Sequence, residues 1–339
     1  MPGKQLNWGV VFTGENLSLD DILRYARLAE DAGAESLWST ELGRDAFVPL
    51  AAIASVAKRV RVGTAVATFA RPPMHTETAA MAMAEFTKNK FVLGLGTAPP
   101  AWNLNWHGLP VERPVARMRD YVQCIRKMWT GSIAKPIDFD GEIIKVKGYH
   151  RFIPAAYPSV PIYLAAVQTN MLQLTGEIAD GLLANLLNTT KYFEEVVHPN
   201  IKAGMRKSGR DGKGFEFATL KVCAVDKDHK RARDHARHTI AFYSTLPYFD
   251  IVLDPAGFTG PKQKIRAAFA KGDIPAMLRE VTEDMVDALV LAGTADEVRA
   301  QAKKFEGLLD TLILYSPTFA VEAGETKANH EAMINAFAR

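Results

Sequence analysis

The run Phe91-Val-Leu-Gly94-Leu-Gly96-Thr97-Ala98-Pro99-Pro100 carries the densest chemical signal in the chain. Two glycines at the end of an apolar strand have the form of a dinucleotide loop, in which the backbone approaches a pyrophosphate and a third glycine lets a helix pack down at once. Pro99 holds that third position. The Pro99-Pro100 pair also disfavours an immediate helix, because the residue before a proline is pushed out of the helical region. The glycines must therefore admit something else to a strand end. One candidate is close packing inside the fold, and the other is a flat ring whose polar edge meets the backbone of Thr97 and Ala98.

Other residues able to do chemistry are few. The segment Ala165-Ala166-Val167-Gln168 precedes a helix, so its free N–H groups and the helix dipole suit a phosphate, with Thr169 or Asn170 as the cap. Trp102, Trp106 and His107 either line a substrate mouth or pack a long loop onto a rim. His229, His235 and His238 lie in a Lys- and Arg-rich helix and are expected on a solvated face. No H-E-x-x-H motif, carboxylate cluster or cysteine pair points to a metal. Ser39 and Ser316 have no nucleophile elbow around them. A metal-free site with so few acid–base groups suits redox chemistry in which a cofactor carries the reactivity.

The composition permits this. The 339 residues are 48% hydrophobic and 23% charged, as in an ordinary globular chain. With 41 basic and 38 acidic side chains the formal charge is +3, too balanced for a nucleic-acid partner. Cys124 and Cys223 suggest neither a disulfide framework nor zinc, and a reducing cytoplasm fits. The N-terminus has no apolar signal core, and no apolar run reaches membrane-spanning length.

Periodicity supplies the elements that must position these residues. Short apolar runs alternate with amphipathic helices. The strands are Trp8 to Phe12, Ser36 to Thr40, Val60 to Ala67, Phe91 to Leu95, Pro161 to Ala166, Gly181 to Leu187, Phe217 to Val225 and Thr311 to Tyr315. Ser18 caps the first helix, Pro114 opens a long one, and Thr294 caps a later one. Two stretches break the rhythm: a hairpin insertion at about 137–153, turning at Asp140-Gly141, and a helical insertion at about 244–291. Eight such strands close most simply into a (β/α)8 TIM barrel forming a single domain over 1–339, with an open doubly wound sheet as the alternative. The barrel gathers the loops that follow its strands on one face.

The order and spacing of the motifs along this frame, from Glu41-Leu-Gly-Arg-Asp45 to Thr175-Gly-Glu-Ile-Ala-Asp-Gly181, give the chain a resemblance to the bacterial-luciferase-like TIM barrels, which use flavin or the deazaflavin coenzyme F420. The likeness spans almost the whole chain and is strongest to the F420-dependent branch. It rests on Glu41-Leu-Gly-Arg-Asp45, Arg61-Val-Gly-Thr-Ala-Val66 with Arg71-Pro72, and Phe91-Val-Leu-Gly-Leu-Gly-Thr97. It continues through His107-Gly108, Arg113-Pro-Val-Ala-Arg-Met-Arg119, Pro161-Ile-Tyr-Leu-Ala-Ala166 and Thr175-Gly-Glu-Ile-Ala-Asp-Gly181.

The resemblance implies a non-proline cis peptide between Ala65 and Val66, backing the central ring of the cofactor, with Thr40 and Thr64 beside it. It implies that Ala165, Ala166, Val167, Gln168 and Asn185 hold the cofactor phosphate, although relatives often carry glycine where this chain has Val167 and Gln168. Glu41 falls where some F420 enzymes place a proton-handling histidine; it is either the acid–base group or a hydrogen-bond partner of the ring. Pro99 replaces a glutamate of the sugar-phosphate dehydrogenase subgroup, which argues against that reaction. The implied activity is F420-dependent hydride transfer between the deazaflavin C5 and a small organic substrate. The alternatives are an FMN-dependent monooxygenase fed by a separate flavin reductase, and a non-catalytic flavin-binding barrel. A phosphosugar isomerase or aldolase would need a strand-end lysine or paired carboxylates. Relatives of this kind imply a homodimer.

Overall fold

Ser18 shows how local rules set the elements. Its hydroxyl accepts the Asp21 N–H at 3.1 Å while the Asp21 carboxylate accepts the Ser18 N–H at 2.9 Å, a reciprocal cap that starts the first helix. The computed structural model describes residues 6–157 and 159–339, so the first five residues of the N-terminal reading lie outside the described residues.

The chain runs β1 (Asn7–Phe12), α1 (Leu19–Asp31), β2 (Ser36–Ser39), α2 (Phe47–Val56), β3 (Arg61–Thr64), β4 (Ala67–Thr68), α3 (Pro73–Phe86), β5 (Phe91–Gly96), α4 (Pro100–His107) and α5 (Pro114–Met128). A two-stranded antiparallel ribbon follows, β6 (Ile137–Asp140) and β7 (Lys145–Tyr149). Its turn is wider than Asp140-Gly141 alone suggests: the Gly141 N–H donates to the Ile144 carbonyl at 2.9 Å. Next come β8 (Ile162–Ala166), α6 (Thr169–Ile178), β9 (Gly181–Ala184), and α7 (Thr190–Tyr192), which passes through a π-helical segment into α8 (His198–Lys207). β10 (Glu216–Val225) and α9 (His229–Ser244) lead into α10 (Asp250–Leu253), α11 (Thr259–Phe269), α12 (Ile274–Arg279) and α13 (Glu283–Leu289). β11 (Leu291–Gly293), α14 (Ala295–Ala302), β12 (Thr311–Tyr315) and α15 (Ala323–Phe337) complete the order.

The sheet closes. In the order β1-β2-β3-β5-β8-β9-β10-β12, each strand pairs in parallel with the next, and β12 pairs back to β1, giving the eight-stranded (β/α)8 barrel. Closure leaves no open edge among the eight barrel strands. β11 is an addition that the periodicity does not reveal: three residues pair with Cys223–Val225 of β10.

The N-terminal end of the barrel is shut by a polar cluster. The Arg61 guanidinium donates to both Glu216 oxygens at 2.7 and 2.8 Å, and Tyr163 and Thr311 hydroxyls donate to the same carboxylate at 2.6 and 2.8 Å. Burial pushes the Glu216 carboxyl up, but these donors and the Arg61 charge overcome it and bring its pKa down to about 2. The opposite end of the barrel is left for chemistry.

Two sequence expectations fail here for stated reasons. A helix does follow the prolines, since Pro99 takes the extended conformation (ψ 140°) that its neighbour demands, and Pro100 then occupies the first helical position, where it is favoured. The third strand is not continuous from Val60 to Ala67, because it is interrupted at Ala65-Val66.

Candidate functional site

The interruption is a cis peptide between Ala65 and Val66. Val62 stands opposite Phe91 and Ala67 opposite Leu95, five steps on one strand against four on the other. One extra residue therefore bulges from the barrel wall. The Ala65 N–H donates to the Ser39 carbonyl at 2.8 Å and the Glu41 N–H to the Val66 carbonyl at 3.3 Å, so β2 and its loop clamp the bulge from one side. Val66 remains half-buried at the mouth.

β5 clamps it from the other side, and this explains the glycines. A β-carbon on Gly94 would fall on the Thr64 carbonyl oxygen, and one on Gly96 would fall on a Val66 methyl. What approaches the strand end is thus the bulge itself. The Thr64 hydroxyl donates to the Gly94 carbonyl at 2.6 Å and is fully buried, so it pins the bulge to β5. The same point on Gly96 lies 3.5 Å from the Ala165 β-carbon, which brings Val66, Gly96 and Ala165 together as one apolar corner. Beyond it Thr97 and Ala98 are half-buried, Ala98 has φ 52°, and the Thr97 carbonyl accepts the Asn103 amide at 2.6 Å.

Around this corner sit polar side chains without partners. The hydroxyls of Thr13, Thr40 and Thr68 and both amide atoms of Asn185 are buried and make no hydrogen bond. They follow or end β1, β2, β4 and β9, all at the C-terminal ends of the strands. Buried polar atoms are normally satisfied, and each orphan costs roughly 1–3 kcal/mol. Four such residues at the C-terminal end of the barrel are candidate contacts for a polar ligand. Thr40 and Asn185 are among the sequence-derived candidates; Thr13 and Thr68 are not, because threonine after a strand carries no distinctive signal.

Glu41 is engaged on both oxygens. One accepts the Thr68 N–H and the other the Arg71 guanidinium, each at 2.7 Å, and the same Arg71 nitrogen reaches Asp45 at 2.7 Å. Burial raises the Asp45 carboxyl, but the Val48 N–H, Arg71 and the Phe47 N–H together hold it below the usual range. The trio ties the loop after β2 to the loop after β4. Arg71 is the partner shared by Glu41 and Asp45, and sequence reasoning names it only as a motif residue.

The segment expected to hold a phosphate is built differently from its expectation. Gln168, not Thr169 or Asn170, is the N-cap of α6, and no side chain caps the helix. Gln168 instead donates its amide to the Tyr248 carbonyl at 2.8 Å, and the Tyr192 hydroxyl donates to the Val167 carbonyl at 2.6 Å. The first-turn N–H groups of α6 are thus left without a side-chain acceptor. Ala165 is partly exposed, Ala166 is buried and Val167 is half-buried, while Gln168 is exposed.

Trp102 and Trp106 stack on α4 with ring centres 4.6 Å apart at 19°, Trp106 being 62% exposed, and His107 is exposed at the end of the same helix. The histidines of α9 do not share one solvated face. His229 is exposed and meets Glu297 at 2.9 Å, but His235 and His238 are half-buried with unpartnered ring nitrogens, and burial brings His235 down to about 4. Arg231, one turn before His235, borders the same hollow, while Lys230 is exposed on the helix surface. Among the described residues no cluster of His, Cys, Asp and Glu is arranged to hold a metal ion, and no helix is long and apolar enough to cross a membrane.

Comparison with known proteins gives a consistent outcome. The luciferase-like monooxygenase family profile matches residues 7–312. The chain is 30% identical over 304 residues to 5,10-methylenetetrahydromethanopterin reductase of Archaeoglobus fulgidus, covering 86% of this chain and 88% of that protein. The enzyme of the same name from Methanolobus tindarius is 31% identical over 302 residues, covering 87% and 89%. The solved structure of coenzyme F420 dependent tetrahydromethanopterin reductase from Methanopyrus kandleri superposes with a TM-score of 0.83 at 23% identity, covering 98% of this chain and 99% of that one.

Proposed function

The chain belongs to the luciferase-like monooxygenase family, and we propose that within it the chain is an F420-dependent oxidoreductase that moves a hydride to or from a small organic substrate. The observation that carries this reading is the ring of unpartnered Thr13, Thr40, Thr68 and Asn185 side chains around the Ala65-Val66 bulge. They fit a ligand with a flat, polar-edged ring and an anionic arm. When bound, the deazaflavin supplies the hydride donor or acceptor at its C5.

The chain's own residues hold and shield. Ala65 and Val66 support the ring from behind, while Thr40, Thr97 and Ala98 meet its polar edge. Ala165, Ala166, Val167 and Gln168, with the free N–H groups of α6 and the Asn185 amide, receive the phosphate. Glu41 serves through Arg71 and Thr68, holding the bulge in shape, and is a positioning residue in this reading. Trp102, Trp106 and His107 give the substrate side an aromatic wall; the names of the relatives make a reduced pterin one substrate class to try. We also propose a single barrel domain with two insertions, working in the cytoplasm as a homodimer.

The family's own description supports one second reading, an FMN-dependent monooxygenase served by a separate reductase. Fluorescence titration separates the two. Saturable F420 binding at about micromolar Kd without FMN binding is expected. Tight FMN binding with no F420 binding would overturn the proposal.

A further inference from the structure

We propose that Lys221 is a positioning residue for the cofactor phosphate, fixing the turn that carries Asn185 and placing a positive charge behind it. The inference rests on the reading of Asn185 given above. Lys221 is 1% exposed in the middle of β10. Its ammonium donates to the Asn188 carbonyl at 2.6 Å and to the Asn188 side-chain oxygen at 3.2 Å, and it lies 4.7 Å from the ring centre of Phe305. Among the described residues no carboxylate pairs with it. A buried cation held only by neutral dipoles and a ring face is costly, and an apolar side chain would pack there at less expense.

What the ammonium holds leads to the mouth. The Asn188 amide donates to the Thr219 hydroxyl at 2.8 Å and to the Asn185 carbonyl. Lys221 and Thr219, two residues apart on one face of β10, therefore grip Asn188 together, and Asn188 grips Asn185. The chain of contacts ends at the Asn185 amide, buried and without a partner. An anion arriving there meets a donor on a turn that cannot yield, with an uncompensated positive charge in the low-dielectric wall behind it.

Two other charged groups share a hollow of about 210 Å³ with Lys221: Asp287 of α13, already bound to Arg233 at 2.6 Å, and Lys304 of the short turn after α14. Burial above all, with the Lys304 charge, brings the Lys221 amine down to about 7. The charge behind Asn185 is thus present below neutral pH and lost above it.

The test is fluorescence titration with F420 and with its phosphate-free deazaflavin alcohol, from about pH 6 to 9, on the wild type and on Lys221→Met. The ratio of the two affinities cancels any titration of the shared ring. In the wild type the F420 preference should fall about tenfold across neutral pH; in K221M it should be about tenfold lower at pH 6 and flat. If K221M retains the wild-type preference and pH profile, Lys221 has no such role, and the cofactor site still stands. If the wild type binds the alcohol but shows no preference for F420 at any pH, the phosphate reading of Asn185 falls and this inference with it. Should K221M fail to fold, the wild-type profile decides: a preference that does not change with pH overturns the inference.

Discussion

The carbonyl oxygen of Thr64 occupies the place that a β-carbon on Gly94 would take, and the Thr64 hydroxyl donates back to the Gly94 carbonyl at 2.6 Å. Gly94→Ala must therefore displace barrel backbone, whereas Gly96→Ala displaces only a Val66 methyl. We expect G94A to cost about 3 kcal/mol in urea unfolding and G96A about 1 kcal/mol. Val66→Ala should rescue G96A but not G94A. Equal losses, unchanged by V66A, would show that the bulge is not what these glycines accommodate.

Glu41 and Arg71 should behave as one unit. A double-mutant cycle of Glu41→Gln and Arg71→Ala, read by F420 affinity, should give a coupling of about 1–2 kcal/mol. If Glu41 were instead the acid–base group, E41Q would leave affinity and stability intact while turnover collapsed.

Asn185 should show stability and function in opposition. Asn185→Ala removes two unsatisfied buried atoms, so the cofactor-free protein should keep its stability or gain up to about 1 kcal/mol, while F420 affinity falls about tenfold. Asn185→Asp, which sets a carboxylate against the phosphate, should fall further. A variant with weakened unfolding midpoint and unchanged F420 affinity would remove Asn185 from the site.

Stability should fall with acid in two separable windows. His235 and His330 are brought down by burial to about 4 from an ordinary 6.5. Their folded pKa values lie below the unfolded ones, so the stability they lend is present above about 6.5 and is lost as pH falls toward 4. Glu216, at about 2 against an ordinary 4.5, acts lower, losing its contribution between those values. Urea unfolding against pH should show that Glu216→Gln removes roughly 3 kcal/mol of the lower limb and leaves the upper one intact. A single limb abolished by E216Q would contradict this assignment.

Much of this architecture is legible in the residues. The eight-strand rhythm, the caps at Ser18 and Thr294, and the position of the Ala65-Val66 bond all follow from local patterns or from the family likeness they carry. What escapes is what depends on distant neighbours. Gly94 announces close approach, but only folding shows that the visitor is Thr64. Gln168 gives its amide not to the helix but to the Tyr248 carbonyl, a partner far along the chain. α4 hides behind two prolines because the first absorbs the constraint imposed by the second. His235 and His238 are masked by a helix whose charged residues dominate its composition, because the residues that share their hollow, Ala328 and Asn329 of α15 among them, lie far along the chain. β11 is three residues long and exists only through its pairing with β10.

The hydrogen bond from Gln168 to Tyr248 reaches a main-chain carbonyl, not the tyrosine ring. The helical excursion thus tethers the loop before α6 through its main chain at this point. The tether therefore outlasts any change of the Tyr248 side chain that leaves the main chain in place, while the buried Phe249, Leu253, Ile265, Met285 and Leu289 seat the excursion on the core.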